Sequence, residues 1–411
     1  GLHSFSNYGL AVNSFYPYLF LYPFAIVRLL LSPIHAYVLV LLGYVVLSQI
    51  ISYLCARRIP QIKHAALLFS TLYNFSGYAL LQIEMRADLG EYFALIFLPI
   101  AFVGAYSLLI KDSNDWIWLP IGMSAIAYSH ILSIFIFGFS LGIWLLLQPR
   151  FYTVQNLHHI LVSLITFLLI TLPLSVTLVG VSTSNKIAPL KAPGPLSSQA
   201  INIRTLITNS LKSTVTSKLG DCNIGTVCII CSIILIVSWP ISSTFIRRLT
   251  LLGLFFFISA STLIPYTSFD TSFLKTIQFP WRFLGPATFF IAVGSAALFN
   301  LSADKIKSQI PFKTIVVIME IFSLLVGFSL TKKYVNWPLL HVTNNTYEWF
   351  STDAIYSDYM PRFSVKNTRS IANHIAIVNG HSITLKPKNF QVQPQQIIVS
   401  LSGLRANLDV S

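Results

Sequence analysis

Charge is what this chain has least of. Its 411 residues include 13 Asp and Glu and 27 Lys and Arg, so 10% of side chains are charged, against roughly a quarter in an ordinary globular domain. So few charges cannot cover a soluble surface of this size. With 55% hydrophobic residues and a mean hydropathy of +0.71, the class that remains is a polytopic membrane protein. Cysteine is scarce too. The four present form no disulfide framework, and Cys228-Ile229-Ile230-Cys231 has the spacing of a redox or zinc pair but sits in an apolar run, where buried, inert thiols are expected. There is no Walker-type or dinucleotide-type glycine loop, no His-Glu-x-x-His and no nucleophile elbow, so nothing supports soluble nucleotide chemistry. The basic excess of +14 is scattered through short loops rather than massed in one patch, which argues against a nucleic-acid partner and for topology signals.

What is present is a series of apolar stretches near the roughly 20 residues that cross a bilayer as a helix. They fall at about 36–54, 64–82, 89–110, 157–180, 223–239, 249–265, 284–300 and 314–330. Before them, Tyr16-Pro17-Tyr18 and Tyr22-Pro23 suit an interface-hugging or re-entrant helix. The run Trp116–Leu147 is too long for one span. If it holds two helices broken near Ser129-His130, the loops with Arg57, Arg58 and Lys63, with Lys111, with Arg150, with Arg247 and Arg248, and with Lys305, Lys307 and Lys313 share one side, the cytoplasmic side by the positive-inside rule. The expectation is an all-α bundle of about ten transmembrane helices over residues 1–330. After Leu330, polar residues replace Leu and Phe. Ile383, Leu385, Ile397, Val399 and Leu401 then alternate with polar neighbours, so 331–411 is expected to be a small extracytoplasmic β-rich domain. The chain begins at Gly1 without Met, and the sequence is expected to be a piece of a longer one.

Ionisable groups inside such a chain can be enumerated, and they concentrate on the outer face. The segment Glu84-Met85-Arg86-Ala87-Asp88-Leu89-Gly90-Glu91 packs three acids and a base into eight residues. Asp88 and Glu91 are three apart at a helix start, so both can face one way, either as caps that complement the helix dipole or as a general base or metal ligand beside an anion-binding Arg86. A divalent cation is the one cofactor this set could call for. His130, between Ser129 and Ser133, is either a hydrogen-bonded structural residue or an assistant to that chemistry. The loop 181–222, with Lys186, Lys191, Arg204, Lys212 and Lys218 around Pro193-Gly194-Pro195, is either a mobile basic lid or a solvated loop. Gln278-Phe279-Pro280-Trp281-Arg282-Phe283 sets a permanent charge in an aromatic cluster before a long apolar segment. Arg282 there is either an anion ligand, its planar fork matching a phosphate, or a snorkelling Arg in an aromatic belt.

Ile277-Gln278-Phe279-Pro280-Trp281-Arg282-Phe283-Leu284-Gly285 closely resembles the signature of a bacterial membrane family labelled 6-pyruvoyl-tetrahydropterin-synthase-related, itself similar to YfhO-type proteins. Other pieces agree in order: Tyr16-Pro17-Tyr18, Arg86-Ala87-Asp88-Leu89-Gly90-Glu91 with Pro99, Ser129-His130-Ile131-Leu132-Ser133, and Tyr356-Ser357-Asp358-Tyr359-Met360-Pro361. The resemblance implies a fold like that of the GT-C glycosyltransferases, integral enzymes that use polyprenyl-phosphate-linked sugars at the outer face, and for this chain a multi-pass location in the bacterial plasma membrane. Members of that fold typically place a catalytic Asp in the first outer loop, and residues 1–35 here hold no Asp or Glu. In the enzyme reading, Asp88, Glu91 and His130 are the catalytic candidates. Arg86, Gln278, Trp281, Arg282, Phe283 and Tyr16 would bind the donor, and an envelope glycan would accept the sugar. The alternative is a non-enzymatic protein in which the same residues hold a carrier lipid or assist envelope assembly.

Overall fold

A computed structural model describes residues 18–110, 113–183, 194–213, 222–269 and 277–305, with short runs between 314 and 332 and between 375 and 399. These residues are mostly helical. The chain enters through a short helix, α1 (Tyr22–Arg28), and turns at Ser32 into the long α2 (Pro33–Arg57), whose first residue is a proline that the first helical turn tolerates. Helices α3 (Ala66–Asn74) and α4 (Gly77–Glu84) follow, then α5 (Leu89–Ser107), α6 (Trp118–Ala127), α7 (Ile131–Leu146), α8 (Val154–Ile170) and α9 (Leu172–Thr183). After them come the short α10 (Leu196–Gln199), the amphipathic α11 (Ile203–Lys212), α12 (Thr226–Val237), α13 (Thr244–Ser259) and α14 (Leu284–Lys305).

Two helices make the centre. The apolar windows of α5 and of the 280–301 segment leading through α14 are each 89% buried, whereas that of α2 is only 17% buried, so α2 lies at the edge with most of its surface exposed. Without a hydrophobic drive between helices in a bilayer, close backbone approach and polar contacts hold such a bundle. Both occur here. Gly104 on α5 faces Leu119 so closely that a Cβ would lie 2.0 Å from the Leu119 nitrogen. A Cβ on Gly122 of α6 would lie 2.4 Å from the nitrogen of Ala101. On the other flank, Asn74 Nδ2 donates to Gln49 Oε1 (2.9 Å) and Ser52 Oγ (3.2 Å), and Ser48 Oγ donates to Asn74 Oδ1 (2.5 Å), pinning α3 to α2.

Among the described residues, three helical segments are long and apolar enough to cross a membrane alone: Pro33–Arg57, Leu89–Ser107 and Pro280–Leu301. A fourth arises if Val154–Ile170 and Leu172–Gly180, bent by 62° at Thr171, count as one span. The expected count of about ten also includes shorter and broken helices. Residues 66–84 are interrupted at Phe75-Ser76, where the Gly77 amide leaves the helical pattern and donates to the Ile224 carbonyl (3.1 Å). The 116–147 run divides at Tyr128–His130, and 223–239 yields only the 12 residues of α12.

The bundle has two unlike ends. At one, Arg58 pairs with Asp115 (2.8 Å), Tyr106 Oη donates to Gln61 Oε1 (2.5 Å), Arg248 donates to Gln148 Oε1, and the His64 amide donates to Asn300 Oδ1 (3.2 Å). The loops of Arg57, Lys63, Arg150 and Arg247 belong to this end. At the other, Thr331 Oγ1 donates to Glu84 Oε1 (2.8 Å), and Ile201 exchanges backbone bonds with Ala260 and Thr262. Lys111, Lys307 and Lys313 lie outside the described residues. Of the loop 181–222, the described part holds α10 and α11, with Leu206 and Ser210 fully buried, so this part is packed rather than a merely solvated loop; Lys186, Lys191 and Lys218 are outside the described residues. Cys222, Cys228 and Cys231 are buried and form no disulfide among the described residues.

Toward the C-terminus the described residues form two separate antiparallel pairs. β1 (Ile375–Val378) runs against β2 (His381–Thr384), with Ile375 opposite Thr384, and β3 (Phe390–Val392) runs against β4 (Ile397–Val399), with Phe390 opposite Val399. Ile383, Ile397 and Val399 of the expected alternation fall in these strands, while Leu385 and Leu401 lie outside the described residues.

Candidate functional site

The non-basic end brings together four of the chain's few charges, Arg86, Asp88, Glu91 and Arg282. Asp88 caps α5, its Oδ1 accepting the Glu91 amide (3.1 Å), as expected for an acid at the positive end of a helix dipole. The cap aims Glu91 inward. There one carboxylate meets two guanidiniums from distant parts of the chain: Arg86 Nη1 donates to Glu91 Oε2, and Arg282 Nε donates to Glu91 Oε1 (2.5 Å). Arg86 also donates through Nη2 to Asp88 Oδ2 (2.9 Å) and through Nη1 to Gln82 Oε1. Burial alone would lower the proton affinity of Arg86, but Glu91 and Asp88 more than offset that and hold it above its ordinary value.

Arg282 is fixed from its own turn. Its Nη1 donates to the Ile277 carbonyl (2.8 Å) and to Gln278 Oε1 (2.9 Å), while its amide bonds back to Phe279 O (3.1 Å). The Trp281 indole serves both cations, with Arg86 4.1 Å and Arg282 5.7 Å from its ring centre, and Phe279 lies 5.1 Å from Arg282. Such contacts contribute more when desolvated, and Trp281 is only 1% exposed. The snorkelling arginine in an aromatic belt is thereby corrected: a ring this buried does not sit at a water-lipid boundary, and Arg282 points at a buried carboxylate rather than at water.

Two residues next to the arginines adopt a left-handed backbone without being glycine: Ala87, at φ 48°, and Gln278, at φ 64°. A non-glycine residue there costs on the order of 1 kcal/mol or more, and such strain concentrates where side chains must be aimed. In both cases the strained residue is the neighbour of, or a ligand to, an arginine of the network.

The structure unites most of the sequence candidates. Arg86, Asp88, Glu91, Gln278, Trp281 and Arg282 form one contact network. His130 closes one side: it is buried, its Nδ1 pairs with Ser133 Oγ at 2.9 Å, and it lies within electrostatic reach of Glu91. Phe283 does not join; its ring stacks on Phe256 at 5.9 Å in the core. Tyr16 lies outside the described residues. Glu84 leaves the acidic segment for Thr331. Two members escaped the sequence reading. Gln82 is fully buried, and its Nε2 has no partner among the described residues although its Oε1 holds Arg86. Tyr78, 3% exposed, lies within electrostatic reach of Glu91, Arg86 and Arg282. An amide and a phenol inside a short apolar helix carry no signal in one sequence; the only cue was that Gln82 is a polar residue one turn before Arg86.

Two cations and two anions make the network neutral, and its exposure is graded. The Glu91–Arg282 pair is closed, at 4% and 6% side-chain exposure, while Arg86 and Asp88 stand at 13% and 18% and form its open edge. No three His, Cys, Asp or Glu side chains converge to hold a metal ion among the described residues. Asp88 and Glu91 are instead both held by arginine. Comparison with protein-family models, with curated proteins and with solved structures gives no match for this chain.

Proposed function

We propose that the chain is a multi-pass enzyme of the bacterial plasma membrane, with about ten spans and an extracytoplasmic β-rich C-terminal domain, that transfers sugar from a polyprenyl-phosphate donor to an envelope glycan. The observation that carries this reading is the graded network: a closed Glu91–Arg282 pair that fixes position and an open Arg86–Asp88 pair that can exchange. An incoming donor phosphate replaces Asp88 on Arg86, whose planar donors match phosphate as well as carboxylate. Displacement frees the Asp88 carboxylate as a base. Asp88 takes the proton from an acceptor hydroxyl, the hydroxyl oxygen bonds to the anomeric carbon, and the bond from that carbon to the phosphate oxygen breaks with its electron pair passing to the polyprenyl phosphate, held by Arg86. Here Glu91 and Arg282 position Arg86, Trp281 and Gln278 hold the two arginines, and His130 borders the pair.

Asp88→Asn tests this. Asn caps a helix about as well as Asp, so abundance in the membrane stays near that of the wild-type chain, while the base is lost. In a host lacking the chromosomal copy, envelope glycan restored by the wild-type chain should not be restored by Asp88→Asn. Full restoration rejects the transferase. Mutual neutralisation of the four charges favours one second reading, a carrier-lipid-binding protein without chemistry. It predicts full restoration by Asp88→Asn together with polyprenyl-phosphate binding that Arg86→Gln weakens.

A further inference from the structure

At the opposite, basic end, a cavity of about 460 Å3 opens between α5, the Gln148–Arg150 turn and the start of α13, lined by Gln61, Tyr106, Gln148, Arg150, Thr244 and Arg248 among others. The volume falls within the roughly 300–1,000 Å3 of small-molecule sites. A second cavity of about 280 Å3 adjoins it, sharing Gln61, Ser243 and Phe245. No lining residue of either is acidic, and among the described residues neither Arg150 nor Arg248 is paired to a carboxylate. This differs from the Arg86–Glu91 network, where every cation has its anion.

Three independent features converge on the cavity. Arg248 is aimed by a hydrogen bond to the Oε1 of Gln148, which is buried and anchored through Nε2 to Trp144 O (3.2 Å). Arg150 adds a second permanent charge from the facing turn. The 16-residue α13 begins at the lining residue Thr244, so its positive dipole end and its first-turn amides, of which that of Ile246 is capped by Ser243 Oγ (3.4 Å), lie at the same space. Leu109, Ile110 and Phe245 add apolar lining, and Ile110 is exposed. The geometry points to a phosphate-binding site at this end of the bundle, formed by Arg150, Arg248 and the start of α13, that takes the phosphodiester of an anionic phospholipid or the phosphate of a soluble molecule. It is separate from the proposed donor site and does not rest on it.

The test uses the full chain purified in detergent. Retention of phosphatidylglycerol is read by native mass spectrometry, and binding of inorganic pyrophosphate by calorimetry. Arg150→Gln is expected to weaken binding about tenfold, the loss of one charge-assisted contact. Thr244→Glu should weaken it at least as much, while an acid at that helix start favours folding, so loss in this variant is not misfolding. Arg57→Gln, an exposed residue at the same end outside the cavity, is the control and keeps wild-type binding. Phosphatidylglycerol retained against excess pyrophosphate assigns the site to lipid; pyrophosphate bound without that lipid assigns it to a soluble phosphate. Equal losses for Arg57→Gln and Arg150→Gln, or no binding of either probe, overturn the proposal.

Discussion

Glu91 is nearly closed to solvent between two guanidiniums, and that position decides what substitutions there cost. Removing one member of a buried pair leaves an uncompensated charge and costs about 3–5 kcal/mol, whereas removing both charges and filling the space is far milder. Arg282→Ala is therefore expected to lower the stability of the detergent-purified protein sharply. Glu91→Leu combined with Arg282→Met should recover most of that loss, because Arg86 keeps Asp88 and Gln82. Temperature-dependent aggregation of the three proteins measures this, and an Arg282→Ala protein as stable as the wild type would show that Glu91 does not need its partner. The two halves of the network were legible separately, since three acids and an arginine in eight residues, and an arginine among Phe and Trp, stand out in a chain so poor in charge. Their union was not. A local pattern holds no term for a contact 191 residues apart, and it cannot tell an arginine that awaits a phosphate from one that already holds a carboxylate.

Between elements, backbone proximity does what apolar burial does in water. The Gly104–Leu119 and Ala101–Gly122 contacts run in opposite directions along the chain, so α5 and α6 cross antiparallel with almost no side chain between them. Gly104→Ala would place a Cβ 2.0 Å from the Leu119 nitrogen, and no rotamer relieves a clash with backbone. The helices must separate, at a cost of at least about 1–3 kcal/mol. Gly142→Ala, on α7, meets nothing within 4 Å and is the matched control, neutral or slightly stabilising because alanine suits a helix better. Fluorescence-detected size exclusion of the two variants should show Gly104→Ala aggregated and Gly142→Ala monodisperse; like profiles would mean this crossing contributes little. Composition located these helices but not their breaks. The interruption near Ser129-His130 follows from a run too long for one span, whereas that at Phe75-Ser76 depends on a carbonyl from Ile224, which no window around residue 75 contains.

For the whole molecule, the polarity of the bundle is the feature with most consequence. Arg58 with Asp115, Arg248 with Gln148 and Lys63 beside the His64–Asn300 contact bring loops far apart in sequence to one end, while the Arg86–Glu91–Arg282 network and the Glu84–Thr331 contact occupy the other. Positive loops are retained on the cytoplasmic side during insertion, so the basic end should face the cytoplasm and the carboxylate network the outside. Single cysteines in a background lacking the four native ones read this directly. At Arg57 and Arg150, both exposed at the basic end, a cysteine should be protected in intact cells from a membrane-impermeant maleimide and react once the membrane is opened. At Gly194, exposed beside α10, it should react in intact cells. This requires an odd number of crossings between residues 150 and 194, and the pair Val154–Ile170 and Leu172–Gly180, bent by 62°, has the length and apolar composition to supply one. Labelling of positions 150 and 194 from the same face would make that bent pair re-entrant.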